Sequence, residues 1–289
     1  MTATGAQHYF ASVPSAVRFV LLVAGALLLG GCALYVALSY VYAFAILRPN
    51  APNTRRAHIL RAALVELGAT LVLMPLWPLW MLIGESYKVA HEGEGRARGP
   101  RHPVILLHGF AMNRTNWLWV GSRLAARGVG PLYGTSYFSP QSVRVSAQHL
   151  KNFVERVIAR EDAARVDIVA HSLGGVVARY YIERLGGARR VGRLVTIGSP
   201  HRGTLLGRLG LVPSARDLQA GSPLLDELGT PDPNVQYTSV WSRADAIIIP
   251  PESACIAPAG QDQIFDDLGH LSMLLSPRVI DAVAARLAA

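Results

Sequence analysis

The sequence predicts an α/β fold, a mostly parallel sheet of about six strands flanked by helices, preceded by a transmembrane helical hairpin. Three observations predict it. Near the start, Phe19 to Leu47 is a run of 29 residues without a charged side chain. From Pro103 onward, short continuously apolar segments alternate with amphipathic ones, as strands buried on both faces do between covering helices. One such strand-like segment runs directly into Ala170-His171-Ser172-Leu173-Gly174 and then into a helical pattern.

Composition limits the alternatives. The chain has 289 residues, of which 51% are apolar and 16% charged, which excludes a disordered or collagen-like polymer. Two cysteines, Cys32 and Cys255, exclude a disulfide scaffold and a CxxC zinc module. The net charge is +9, but the basic excess is spread along the chain and no RNA- or DNA-binding motif accompanies it. No nucleic-acid partner is expected; a solvated arginine-rich surface or attraction to anionic lipid headgroups is.

The first expected span covers about 19–47. As a helix it reaches ~43 Å, longer than a hydrocarbon core of ~30 Å. Tyr40, Tyr42 and Phe44 fall toward its end, as an interfacial aromatic belt would. The second span is expected over about 62–83, with Pro75 and Pro78 as kinks and Trp77 and Trp80 at the far interface. Its uncharged part, Leu67 to Gly84, is 18 residues, the lower limit for crossing, so a re-entrant or interfacial segment is the competing reading. Glu66 lies about one turn inside its start, within reach of headgroups; a proton-relay role is the alternative. Leu29-Gly30-Gly31-Cys32 loosely matches a lipoprotein cleavage box, yet apolar sequence continues past it and only Arg18 precedes it. Residues 1–84 are therefore expected to be a membrane segment. Arg48, Arg55, Arg56 and Arg61 between the spans favour a cytoplasmic loop, which places the rest of the chain in the periplasm or outside the cell. Residues 85–101, rich in glycine and in both charge signs, are expected as a linker, and 102–289 as a second domain.

Within 102–289, strands are expected at Val104 to Leu107, Val129 to Tyr133, Arg165 to Ala170, Leu194 to Ile197 and Val235 to Trp241. Helices are expected at Asn116 to Arg127, Val143 to Arg160, Leu173 to Leu185 and from Pro277 to Leu287. Ligands of such sheets bind beyond the carboxyl ends of the strands.

Chemistry-bearing residues follow those ends. Ser172 lies in a small-x-Ser-x-Gly turn between strand and helix, where a strained backbone lifts the hydroxyl above the sheet and small neighbours allow close approach. A serine hydroxyl needs a base and an acid that orients it. Asp245, in the loop after the strand ending near Trp241, is the candidate acid, with Asp226, Asp232 and Asp262 in other plausible loops. His270, just before the last helix, is the candidate base. His171 is expected to point away from the serine. The oxyanion donors are expected at Leu173 and in the loop His108-Gly109-Phe110, at Phe110, with His108 a structural hydrogen-bonding residue. His201, after another strand end, could line the pocket. Residues 204–235 form a long connection whose Leu205, Leu206 and Leu209 are expected to form an acyl-binding wall or partial lid, or else to pack on the sheet.

These motifs resemble the α/β-hydrolase superfamily, particularly bacterial lipases and esterases of the triacylglycerol-lipase type. The matching stretches are Pro103 to Phe110, Ala170 to Tyr181 and Thr196-Ile197-Gly198-Ser199-Pro200-His201-Arg202-Gly203-Thr204. The resemblance covers about residues 100–289 and leaves the apolar segment unaccounted for. It implies a serine hydrolase acting on carboxylic, expectedly lipid, esters through Ser172, Asp245 and His270, without a cofactor, which the apolar segment would anchor to a membrane. Some secreted lipases of this type carry calcium and a disulfide. Here one cysteine falls in the apolar run and no carboxylate pattern marks calcium near His270, so no metal is expected. Thioesterase, amidase and acyltransferase chemistry would use the same residues, and a non-catalytic membrane interaction module would need none of them.

Overall fold

The structure, a computed structural model, describes residues 15–47, 56–76, 86–89, 102–256 and 260–288. Arg48 and Arg55, Trp77, Pro78 and Trp80, and most of the expected linker lie outside the described residues.

Helix α1, Ser15–Tyr40, continues as a wider π-type helix over Val41–Leu47. Helix α2 spans Arg56–Leu73, with a final tighter turn to residue 76, and packs against α1. The stretches Gly25–Phe44 and Ala57–Leu76 are long and apolar enough to cross a membrane. Most of each lies outside the protein interior, only 22% and 28% being buried. The buried minority faces the rest of the chain. Val36, Tyr40, Ala43 and Ala62 pack against Ala244, Ala246 and Ile249, while Ala69 and Leu73 join the core beneath the sheet.

Seven strands form one sheet. They are β1 (Ser86–Val89), β2 (Val104–Leu107), β3 (Leu132–Thr135), β4 (Val166–His171), β5 (Val191–Ile197), β6 (Gln236–Ser242) and β7 (Gly260–Phe265). Their order is β1-β3-β2-β4-β5-β6-β7. All neighbours are parallel except β1 on β3, so six parallel strands carry an antiparallel edge strand, formed within the stretch expected as a linker.

Strand β2 shows why both faces are covered. Val104 and Leu106 enter one core with Val169 and Val195, against α3 (Leu118–Ala125) and α9 (Pro277–Ala288). Ile105 and Leu107 enter the other with Ile168 and Ala170, against α4 (Val143–Glu161) and α5 (Leu173–Arg184). Successive strand side chains point to opposite faces, and here both faces are dry.

The register aligns strand ends. Leu107 pairs with Ala170, His171 with Ile197, Ile197 with Val240, and Ser242 with Phe265. The loops carrying Phe110, Ser172, Asp245 and His270 therefore leave the sheet along one rim, next to the helical hairpin. The connection between β5 and β6 is not an open loop: it holds a 3-10 turn at Leu205–Leu209 and helices α6 (Pro213–Asp217) and α7 (Pro223–Leu228).

Candidate active site

Ser172 sits between β4 and α5 with φ 53° and ψ −126°, a conformation L residues rarely adopt. Its N–H donates to Ile197 O at 2.9 Å, which ties the turn to β5. Gly174 explains the sharpness of the turn, since a Cβ there would lie 2.6 Å from His108 O and 2.7 Å from Leu107 O. Leu173 opens α5, so its N–H is among the helix's unpaired donors at the rim. On the facing side the loop after β2 is braced through His108. Its Nδ1 donates to Gly109 O at 2.8 Å and its Nε2 accepts from Tyr137 N at 3.1 Å, which fixes a neutral tautomer. Burial holds the His108 pKa down at about 4. Phe110 follows, half-exposed at the rim.

Asp245 and His270 meet. Asp245 Oδ2 accepts from His270 Nδ1 at 2.8 Å, while its Oδ1 accepts from Ile247 N at 2.8 Å and Ile248 N at 3.0 Å. Both residues are buried. Ser242, at the end of β6, joins their two loops, its Oγ accepting from Ala244 N at 3.2 Å and Leu268 N at 3.3 Å. Gly198, with φ 56°, passes beneath the pair; a Cβ there would stand 3.3 Å from both Asp245 Oδ2 and His270 Nδ1. Burial opposes protonation of His270, but the Asp245 carboxylate, through charge and hydrogen bond, and Glu66 outweigh it, so its pKa is raised. Asp226, Asp232 and Asp262 lie elsewhere, in α7, beside Asn234, and on β7.

Two contacts on the His270 loop were not foreseen. His171 Nε2 donates to the His270 carbonyl at 3.3 Å. Glu66, from α2, reaches the other side, where its Oε1 accepts from Leu271 N and its Oε2 from Ser272 N, both at 2.8 Å.

Ser172, His171 and His270 line a cavity of about 500 Å³. Its remaining wall is nearly all apolar. Leu27, Leu28, Gly31, Cys32 and Tyr35 come from α1, Thr70 and Met74 from α2 and the turn that follows it, and Phe110, Ala111 and Met112 from the loop after β2. The wall expected from His201, Leu205, Leu206 and Leu209 stands elsewhere. His201 is buried with Nε2 3.0 Å from Thr196 Oγ1, Leu205 and Leu206 pack in the cluster of the Asp245 loop and α1, and Leu209 is exposed. Leu205 and Leu206 are taken up in packing against Ala244, Ala246 and Ile249 and the end of α1, and the cavity wall is built from α1 itself. Among the described residues, no group of three His, Cys, Asp or Glu side chains is placed to hold a metal ion.

Comparisons with known proteins agree with this architecture. The chain is 32% identical over 114 residues to a triacylglycerol lipase of Pseudarthrobacter phenanthrenivorans, in an alignment covering 36% of this chain and 34% of that protein. It is 32% identical, again over 114 residues and 36% of its length, to a triacylglycerol lipase of Burkholderia plantarii, of which 31% is covered. It thus spans about a third of the length of these relatives. The fold is similar to that of mature Bacillus licheniformis lipase BlEst2, with a TM-score of 0.61 at 14% identity over 70% of this chain and 97% of that one. It is also similar to Aspergillus fumigatus lipase B, with a TM-score of 0.62 at 16% identity over 71% and 56% of the two chains. The family model described as Lipase (class 2) matches residues 101–262, more than half of the sequence, and the chain belongs to that family.

Proposed function

We propose that this protein is a membrane-associated serine hydrolase that cleaves carboxylic esters of lipids, with Ser172 as nucleophile, His270 as base and Asp245 as the acid that orients it. The observation that carries the reading is the 2.8 Å contact between Asp245 and His270 at the strand rim, beside the same cavity as the strained Ser172. Asp245 fixes a proton on Nδ1 of the imidazole, leaving Nε2 free to accept one.

In the reaction, Ser172 Oγ bonds to the ester carbonyl carbon as its proton passes to His270 Nε2. The C–O bond to the alcohol then breaks and the alcohol leaves with that proton. Water next gives a proton to His270 while its oxygen bonds to the acyl carbon. The acid departs as Ser172 Oγ regains the proton. The N–H groups of Phe110 and Leu173 are the donors proposed for the oxyanion, where one such bond is worth about 3–4 kcal/mol in a well-studied serine hydrolase.

The substrate class rests on the cavity and the hairpin. A largely apolar wall beside the nucleophile suits an acyl chain. The outer faces of α1 and α2 carry large apolar side chains, with Phe19 at 68% and Leu60 and Leu64 at 64% exposure. An apolar surface of this kind marks a membrane or protein contact. Triacylglycerol lipases among the relatives favour lipid over protein. Because Glu66, near the middle of α2, is bonded at the catalytic rim, that rim lies beside the lipid-facing hairpin. This suits substrate arriving from the bilayer.

The test is turnover of a panel of esters, thioesters and amides by the full chain in lipid vesicles. Ser172→Ala should abolish ester cleavage and fluorophosphonate labelling, and Asp245→Asn should lower kcat by roughly 10³–10⁴-fold. Full activity of Ser172→Ala would overturn the assignment. Recovery of the chain in the soluble fraction after carbonate washing would overturn the membrane part.

A further inference from the structure

Glu66 is the one acidic side chain of α1 and α2, and it is buried at 2% exposure. An apolar residue would serve helix packing at that place without the desolvation cost of a carboxyl group. Its partners account for it. Leu271 and Ser272 are the two residues after His270, and their N–H groups lie at the start of the short helix α8 (Ser272–Leu275), where no carbonyl of that helix can accept from them. The carboxylate of Glu66 satisfies both at 2.8 Å, across a sequence separation of 205 and 206 residues. Gly269, on the other side of His270, is crowded by the same group: a Cβ there would lie 2.5 Å from Glu66 Oε2 and 2.5 Å from the Tyr40 hydroxyl.

We propose, resting on the hydrolase reading above, that Glu66 is a positioning residue, which fixes the main chain directly after His270 and makes the hairpin part of the catalytic machinery. Three contacts act on His270 and the two residues after it. Asp245 takes the imidazole, His171 the carbonyl, and Glu66 the two following N–H groups. Of these three, Glu66 comes from the hairpin, as does Arg61 paired with Asp267, so contact between hairpin and core governs whether the base is in place. A base displaced by ~1 Å loses about two orders of magnitude in rate, a far larger effect than one surface contact would give.

Other groups near the loop are Asp267, which pairs with Arg61 and Arg278, and the hydroxyl of Tyr40. The negative charges facing the imidazole itself are Asp245 and Glu66, and the neighbouring ring of His171 is held neutral by burial. Both Glu66 oxygens accept an N–H, as an ionised carboxylate does, so removing that charge disfavours the imidazolium and the acid limb of the rate profile moves to lower pH.

The experiment measures kcat, KM and the pH dependence of kcat/KM for the full chain in vesicles, with active sites titrated by a fluorophosphonate. Glu66→Ala should lower kcat per titrated site at least tenfold with KM within about twofold. Glu66→Gln should recover part of kcat and shift the acid limb down by up to about one unit. A purely structural role would lower the melting temperature and leave kcat per titrated site and the limb unchanged; that result overturns the proposal. Should both variants fail to fold, Gly269→Ala pushes Glu66 off the loop and should give the same loss of kcat, and wild-type kcat in that variant overturns the proposal as well. Ser172→Ala, run in parallel, separates the two readings. If it stays active the hydrolase reading falls, whereas an inactive Ser172→Ala with unaffected Glu66 variants removes only the positioning role.

Discussion

His171 and His270 are neighbours through unlike groups, the Nε2 of His171 donating to the main-chain oxygen of His270 at 3.3 Å while the two rings lie 4.7 Å apart. A carbonyl can only accept, so the proton sits on Nε2 of His171. Burial, reinforced by the neighbouring His270, holds the His171 pKa well below its ordinary value and keeps the ring neutral. His171 is the last residue of β4 and precedes Ser172, so a single strand end sets both Ser172 and the backbone of His270. His171→Phe keeps the aromatic volume and removes the donor. One hydrogen bond of this kind is worth about 1–1.5 kcal/mol, which as lost alignment corresponds to roughly tenfold in kcat. Steady-state ester hydrolysis checks this, and an unchanged kcat would show that the contact does not align the base.

His108 gives a prediction about stability. Its pKa falls from the ordinary 6.5 to about 4, through burial. Between those values the unfolded chain binds a proton that the folded chain does not, so stability is present above pH 6.5 and is lost as pH falls toward 4. The slope is at most about 1.4 kcal/mol per pH unit for one group. His108→Gln should flatten the wild-type slope by about that amount between pH 6 and 4.5, whatever it does to stability at neutral pH. Denaturant unfolding of both proteins at a series of pH values measures it, and parallel curves would count against a neutral His108. Other groups that titrate in this window, such as Glu183 with a pKa raised to about 7 by burial, are common to both proteins and cancel in the difference.

What could be read in the sequence follows the range of the forces involved. Ser172 was legible because strand, turn and helix are contiguous, and Asp245 and His270 because each follows a strand end or precedes a helix in chain order. Strands β2, β4, β5 and β6 were legible as apolar runs. Edge strand β7, Gly-Gln-Asp-Gln-Ile-Phe, was not, since a polar edge strand is held by main-chain pairing with β6 and carries no apolar signal. Strand β1 has four residues in a stretch rich in charge and glycine. Helices α6 and α7, of 5 and 6 residues, are too short to show a helical period. The contacts of Glu66 and His171 with the His270 loop join distant segments. The isolated carboxylate in an apolar run was a signal of some function, but nothing local names its partner.

The cavity wall supplied by α1 can be tested at Gly31. Gly31 lines the cavity and a Cβ added there meets nothing within 4 Å, so the backbone tolerates a side chain at the cavity wall. Gly31→Phe should fill a substantial part of about 500 Å³ and lower kcat/KM for long-chain esters by tenfold or more, with short-chain esters little affected. A chain-length series on both proteins reads this directly. Equal loss across the series would place the acyl chain elsewhere.

Gly174 and Gly68 make a matched pair of substitutions. Both lie in helices, α5 and α2, where replacing glycine by alanine ordinarily stabilises by about 0.5–1 kcal/mol through reduced freedom of the unfolded chain. At Gly68 a Cβ meets nothing within 4 Å, so Gly68→Ala should follow that rule and leave kcat unchanged. At Gly174 the Cβ would meet two main-chain oxygens, Leu107 O at 2.7 Å and His108 O at 2.6 Å. Backbone oxygens of a strand end cannot swing aside as a flexible side chain can. The helix must retreat from β2, and Leu173 N–H retreats with it from the loop that carries Phe110. Gly174→Ala should destabilise by roughly 2–3 kcal/mol, as overpacking of a tight core does. It should also cost ester turnover about 10²-fold, the scale of one lost oxyanion donor. Thermal unfolding and kcat measured on both variants check this, and a Gly174→Ala protein with wild-type kcat would mean that the spacing between the elbow and β2 does not set the oxyanion site.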